Sequence, residues 1–301
     1  MKIAMSEKVQ DIRRQIDQLD NKIHDSLMKR AELVLKIGDE KRKNNLQIIQ
    51  PDREVVMLRR LLARHKGPLP AQAVVRIWRE LVGAVSLLQT GLRVVVCVPD
   101  GATGLMYWDM AKDYFSSVLP MQKVTNPLAA MSMVREGEAT FAVLPWPEDD
   151  IENPWWSYMM DDQSDTKMQI FARLPLGAQN DEEASGAPFR ALVIARLTYE
   201  TSGEDRSFLM LELPKDISRA KLIEKAEALA LKPLSLHTCT NHNRDRKVHL
   251  IELEGFYNAQ SDIVQKMQEA FDDVSVRCVA LGGYPVPPVY VQESQTPDSS
   301  S

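Results

Sequence analysis

Between Ser6 and about Asn45, apolar residues recur at alternating steps of three and four: Val9, Ile12, Ile16, Leu19, Ile23, then Leu33 and Ile37. The spacing predicts one long helix with a heptad-like seam, uninterrupted by proline and carrying a single glycine, Gly38. About 40 residues at about 1.5 Å each make a rod roughly 60 Å long. A rod of that length cannot bury its seam in a small monomeric domain, so it asks for partner helices from a second subunit. The seam fails at Ser26 and Arg30, between Ile23 and Leu33. Arg13 and Lys41 stand one step past seam positions, on one flank. Cations along a buried apolar seam are costly in isolation, and together they point to an anionic ligand. Taken singly, Arg30 reads equally well as a residue that fixes helix register. Arg13 and Lys41 taken singly read as solvated flanking charges.

The helical period continues. Gln50-Pro51-Asp52-Arg53-Glu54 is a helix start, with proline in the first turn and acids near the positive end of the dipole. Val55, Leu58, Leu61 and Leu62 give this second helix its apolar face, and Gly67-Pro68 ends it. Pro70 opens a third helix along Val74, Ile77, Trp78, Leu81, Val85 and Leu88, with Trp78 read as core. Gln89 closes it on nearly the same face. From Leu92 the pattern changes to short apolar runs. Strands are expected at Leu92–Val98, Ala139–Leu144, Met168–Pro175 and Phe189–Arg196, and helices up to Phe115 and over Asn126–Glu136. Further on, Ser207–Leu213, a helix Ser218–Leu231, Leu234–Cys239, Val248–Phe256, a helix Ser261–Phe271 and Val274–Leu281 spell βαββαβ, a ferredoxin-like order.

Composition sharpens the division. A chain of 301 residues with 44% hydrophobic residues holds two or three domains. Residues 1–90 carry 18 Lys+Arg against 11 Asp+Glu, and the remainder 19 against 31, so a net +7 faces a net −12. Trp78 is the only Phe, Trp or Tyr before residue 90. Both counts set a boundary near residue 90. The basic first part carries no nucleic-acid recognition motif and no interleaved aromatics for base stacking. No apolar run is long enough to span a membrane, and the N-terminus lacks a signal core. Cys97, Cys239 and Cys278 have neither metal-ligand spacing nor the number for a disulfide framework. A cytoplasmic protein is expected. His237, His242 and His249, five and seven apart on strand and loop, do not make a convincing metal set.

The first 90 residues resemble the all-helical class of chorismate mutases. The resemblance rests on I-R-R-Q-I-D-Q-L-D (Ile12 to Asp20), K-R-A-E-L-V-L-K-I-G-D-E-K (Lys29 to Lys41), D-R-E (Asp52 to Glu54) and W-R-E-L-V-G-A (Trp78 to Ala84), followed by Gln89. It implies that Lys41 and Gln89 hydrogen-bond the substrate's ether oxygen. It also implies that Arg30 and Arg53 hold its carboxylates, that Arg13 reaches the substrate across a dimer, and that Glu54 takes the ring hydroxyl. Catalytic roles thus fall on Lys41, Gln89 and Arg30, and binding roles on Arg13, Arg53 and Glu54, with no cofactor and no metal. Gln50 and Val85 stand where the family often has an acid and a serine that contact the substrate.

Residues 91–203 resemble the first part of a prephenate dehydratase catalytic domain, through Pro99-Asp100-Gly101-Ala102-Thr103-Gly104 and the later G-E-A…V-L-P (Gly137 to Pro145). Only 15 residues separate Leu174 from Arg190, whereas a second lobe needs at least about 50. The family's Thr-Arg-Phe motif falls on Phe189-Arg190-Ala191, and its turn hydroxyl on Ala102. Residues 204–290 resemble ACT regulatory domains, with G-G-Y-P (Gly282 to Pro285) like the dehydratase terminus. Arg219-Ala220-Lys221 and Thr238-Cys239-Thr240-Asn241 stand where that family binds phenylalanine, which counts against an aromatic amino acid effector. A tail at 291–301 is expected to be disordered. The expected architecture is therefore multi-domain: an all-α three-helix mutase domain, a truncated α/β dehydratase-like lobe and an α+β ACT-like domain. It implies a homodimeric chorismate mutase with shared active sites, acting on chorismate and needing neither nucleic acid nor membrane. Its rivals are a bifunctional mutase–dehydratase and a catalytically silent regulator of another shikimate-pathway enzyme.

Overall fold

The computed structural model describes residues 7–101, 104–149, 154–160, 167–177, 189–240, 245–271 and 276–289. The chain divides into two compact units, Met1–Ile48 with Val85–Gly91, and Ile49–Ala84 with Leu92–Ser301.

The first unit is built on helix α1, Glu7–Lys43, roughly 55 Å long. Its charges suit the dipole, with Glu7 in the first turn and Lys41, Arg42 and Lys43 in the last. Short-range pairs such as Asp11–Arg14 and Glu40–Lys43 add a few tenths of a kcal/mol each. Asn45 ends the helix in the left-handed region, at φ 52°. Leu46 N donates to Lys41 O at 2.9 Å and Asn45 N to Arg42 O at 3.2 Å, the two closing bonds of a Schellman cap. The predicted seam is exposed in the single chain: Val9, Ile12, Ile16, Leu19, Ile23, Leu33 and Ile37 each keep between 40% and 56% of their surface. Gly38 is the one buried residue of α1.

The second unit begins with α2 (Pro51–Ala63), capped by proline and two first-turn acids as its sequence suggests. Helix α3 (Ala71–Thr90) follows; its stretch to Ala84 belongs to this unit and the rest to the first. Trp78 is half-buried. Then come β1 (Val94–Cys97), α4 (Gly104–Phe115), β2 (Met121–Val124), α5 (Pro127–Arg135), β3 (Phe141–Pro145), a 3₁₀ turn (Trp155–Met159), β4 (Gln169–Leu174) and β5 (Ala191–Ala195). The last six elements are β6 (Asp205–Pro214), α6 (Arg219–Ala228), β7 (Pro233–Thr240), β8 (Arg246–Glu254), α7 (Asp262–Glu269) and β9 (Arg277–Pro285).

Among the described residues, nine strands form one sheet, ordered β2-β1-β3-β5-β4-β9-β6-β8-β7. The final four run antiparallel in the order expected of βαββαβ. They join the rest where β9 pairs with β4 in parallel at Ile170 and Gly282. Two glycines make that junction possible. A Cβ at Gly282, whose φ is +84°, would lie 2.3 Å from Ile170 O, and one at Gly283 would lie 2.0 Å from Arg206 O.

Both faces of this last part are covered, so β6 reads as a continuous apolar run rather than an alternation. Leu209, Leu211 and Leu213 pack beneath α6 and α7 with Leu222, Ala226, Ile263 and Met267. Phe208 and Met210 face the other way, into a core with Trp146, Trp155, Trp156, Met159 and Tyr284. The Trp155–Met159 turn thus seals a sheet face that would otherwise be open. Arg59 ties α2 to this part of the unit, donating to Ser202 O, Glu204 O (2.9 Å) and Val286 O (2.8 Å).

Candidate active site

Lys41 sits in the last turn of α1, half-buried, and its Nζ donates to Ile48 O at 3.0 Å. The chain must turn back through the Asn45 cap for that carbonyl to reach the ammonium. Gln89 comes from the last turn of α3, and its Nε2 donates to Val34 O at 2.7 Å. Its carboxamide rests on Gly38, where a Cβ would lie only 2.5 Å from Nε2. Val34, Gly38 and Lys41 are steps of four and three along α1, so the Gln89 amide and Lys41 share one helix face. Arg30, also half-buried, is three turns before Lys41 and within about 20° of it around the axis. An open apolar groove of about 430 Å³ runs beside Lys41, walled by Leu33, Ile37, Lys41 and Leu46. Arg13 is exposed and lies about 25 Å from Arg30 along the helix.

Arg53 and Glu54 are neighbours in the first turn of α2, the former exposed and the latter half-buried. Glu54 accepts from Arg79 Nη1 at 2.6 Å. Arg79 is 4% exposed; its Nε donates to Tyr114 O at 2.6 Å, and its guanidinium lies 4.0 Å from the Tyr114 ring centre. Burial pushes the Tyr114 hydroxyl pKa up, against the pull of the Arg79 charge. Asp52, beside them, has its carboxyl pushed up by burial, with the Glu200 and Glu54 charges adding to it.

Two features escaped the sequence reading. A lone glycine inside a helical pattern, on the face of Arg30 and Lys41, was the available sign that something packs on Gly38. Arg79 lies four residues from buried Val75 and four from buried Gly83, an inward stripe on which an arginine signals a buried partner.

In the sheet, the Arg190 guanidinium lies 4.1 Å from the Trp146 ring centre, a cation–π contact. Phe189 precedes it, while Ala102 and His242 lie outside the described residues. Cys97, Cys239 and Cys278 are free thiols. Among the described residues, no cluster of three His, Cys, Asp or Glu is placed to hold a metal ion. Among them, too, no helix is long and apolar enough to cross a membrane.

Residues 12–90, within α1–α3, match the family model of chorismate mutase type II. The chain is similar to the bifunctional chorismate mutase/prephenate dehydratase of Aquifex aeolicus, with 34% identity over 97 residues, 31% of this chain and 27% of that protein. It is similar to the Stutzerimonas stutzeri protein of the same name over 152 residues at 27% identity, 48% of this chain and 40% of that one. The matches thus span less than half the length of either relative. Among solved structures, prephenate dehydratase from Streptococcus mutans aligns with a TM-score of 0.43 and 15% identity, covering 66% of this chain and all of that one. The Arthrobacter aurescens prephenate dehydratase in complex with L-Phe aligns at 0.44 and 13%, covering 67% and 93%.

Proposed function

We propose that the chain is a chorismate mutase, rearranging chorismate to prephenate in its helical part, with domains at 1–90, 91–203 and 204–290. The observation that carries this reading is the match of residues 12–90 to the mutase family, a segment that holds every residue assigned a role. The reaction is intramolecular and needs no nucleophile, metal or cofactor. The protein must hold a flexible dianion in its reactive fold and stabilise charge developing on the breaking ether oxygen. Arg30, Arg53 and the partner copy's equivalent of Arg13 take the carboxylates by forked hydrogen bonds. Lys41 and Gln89 donate to the ether oxygen, and Glu54 accepts from the ring hydroxyl. One N–H of the Gln89 amide is committed to Val34 O, which leaves the second for the substrate.

The exposed seam of α1 supports a homodimer, since a stripe of that length and apolarity is best covered by the same stripe on a second copy. We read the βαββαβ part as ACT-like and the protein as cytoplasmic. An aromatic amino acid effector is disfavoured. Arg219 is engaged with Asp149 at 2.9 Å, and Thr238 N donates to the same carboxylate at 3.0 Å, so both variant segments serve an internal tie. The bifunctional reading, which the relatives' names suggest, is opposed by Phe189 and Ala102 at the two hydroxyl positions. Purified protein supplied with chorismate should accumulate prephenate, measured before any acid treatment; no turnover above the enzyme-free rate overturns the proposal.

A further inference from the structure

Arg79 is held more tightly than an ion pair with Glu54 requires. Its guanidinium is fixed from three sides, by Glu54 Oε2, by Tyr114 O and by the Tyr114 ring. The residues around it lock the same stretch of α3 onto the end of α4. Glu80 accepts from Ser116 Oγ at 2.9 Å, Ser117 Oγ at 2.8 Å and Ser117 N at 3.1 Å. Burial alone would raise the Glu80 pKa, but these three bonds outweigh it and hold the carboxyl low. Gly83 approaches α4 so closely that a Cβ would stand 2.1 Å from Phe115 O. Arg79 therefore projects from a backbone packed closely on α4, and it reaches Glu54 through a single nitrogen. A monodentate contact on Oε2 leaves Oε1 to accept another hydrogen bond, with the carboxylate already oriented.

We propose that Arg79 is a positioning residue for Glu54, anchored on Tyr114, so that the carboxylate assigned to the substrate's ring hydroxyl is oriented before binding. The inference rests on the mutase reading. A buried ion pair is weak evidence for stability, and a solvated glutamate loses rotamer freedom when it binds. Orientation before binding is what the arrangement supplies. A hydroxyl contact made equally in ground and transition states shows in KM rather than kcat.

The test is a double-mutant cycle on chorismate turnover by the full-length protein, using R79Q, E54Q and the pair. R79Q should raise KM about tenfold, the scale of one charge-assisted hydrogen bond, with kcat within about twofold. R79K, which keeps the charge and loses the fork, should recover part of that loss. In the E54Q background, R79Q should change KM no further. Equal losses in both backgrounds mean a merely structural role and overturn the inference. So does a KM raised by E54Q and unmoved by R79Q, an outcome that leaves the mutase reading standing. If R79Q does not fold, R79K carries the same comparison. E54Q without effect on KM removes the role of Glu54 itself, and the inference with it. Absence of turnover in the unaltered protein overturns the mutase reading and takes this inference with it.

Discussion

Gly38 and the Gln89 carboxamide occupy adjoining space, such that a single methyl group on Gly38 would stand 2.5 Å from Gln89 Nε2. Alanine favours a helix interior over glycine by about 1 kcal/mol, and Gln89 can swing aside, because the atom in the way ends a flexible chain. G38A should therefore fold at least as stably as the native chain yet turn over chorismate at least tenfold more slowly, on the scale of losing one transition-state donor. Thermal denaturation alongside steady-state rates decides it. Unchanged turnover would mean that Gln89 is not a donor to the ether oxygen.

Arg13 and Arg30 lie about 25 Å apart on one helix, too far to serve one substrate within one chain. R13A and R30A should each be inactive. Mixed and allowed to exchange subunits, they should regain activity, because one hybrid pocket then holds both native arginines. Demonstrated exchange with no recovery counts against a shared dimer site.

Much of this was legible in the sequence. The three-and-four spacing, interrupted at Ser26 and Arg30, marked α1, and apolar runs bounded by Gly, Pro and Asn marked most strands, because a face of one kind leaves a period that neighbours cannot hide. Strand β2 was missed: Met121-Gln122-Lys123-Val124 is an edge strand with its two central residues exposed, so it carries little apolar signal. The Trp155–Met159 turn was missed because its burial comes from a distant sheet face rather than from any periodicity of its own. The fusion of the strands into one sheet rests on Gly282 meeting Ile170, a long-range pairing that the G-G-Y-P stretch marks without naming its partner. The pairing of Arg79 with Glu54 is likewise tertiary.

His249 is fully buried, and desolvation, with Lys247 and Arg219 nearby, lowers its pKa from 6.5 to about 4. As pH falls, the unfolded chain takes up this proton first and the folded chain only near pH 4. Stability is therefore full above about pH 6.5 and declines towards pH 4, by on the order of 3 kcal/mol. His237, also lowered by burial, acts in the same direction. H249Q loses the hydrogen bond with Thr238 and should be less stable at neutral pH, but its stability should fall less steeply on acidification. Urea denaturation at about pH 7 and about pH 4.5 tests this; parallel losses in the two proteins would contradict it.

Arg190 is stacked on Trp146, and on the reading proposed above Phe189 replaces the hydroxyl donor needed to expel the ring hydroxyl of prephenate. Prephenate should therefore not be carried further. Phenylpyruvate formed at neutral pH faster than in an enzyme-free control would show that the sheet retains dehydratase chemistry.

The ammonium of Lys41, held at the end of α1 by Ile48 O, is the group on which the account depends most. Prephenate formation by the full-length protein and by K41A, each shown to be folded, measures it directly. The native chain should convert chorismate, and K41A should do so on the order of a hundredfold more slowly, as for loss of a preorganised donor to a developing oxyanion. Near-native turnover by a folded K41A would contradict the assignment of this site.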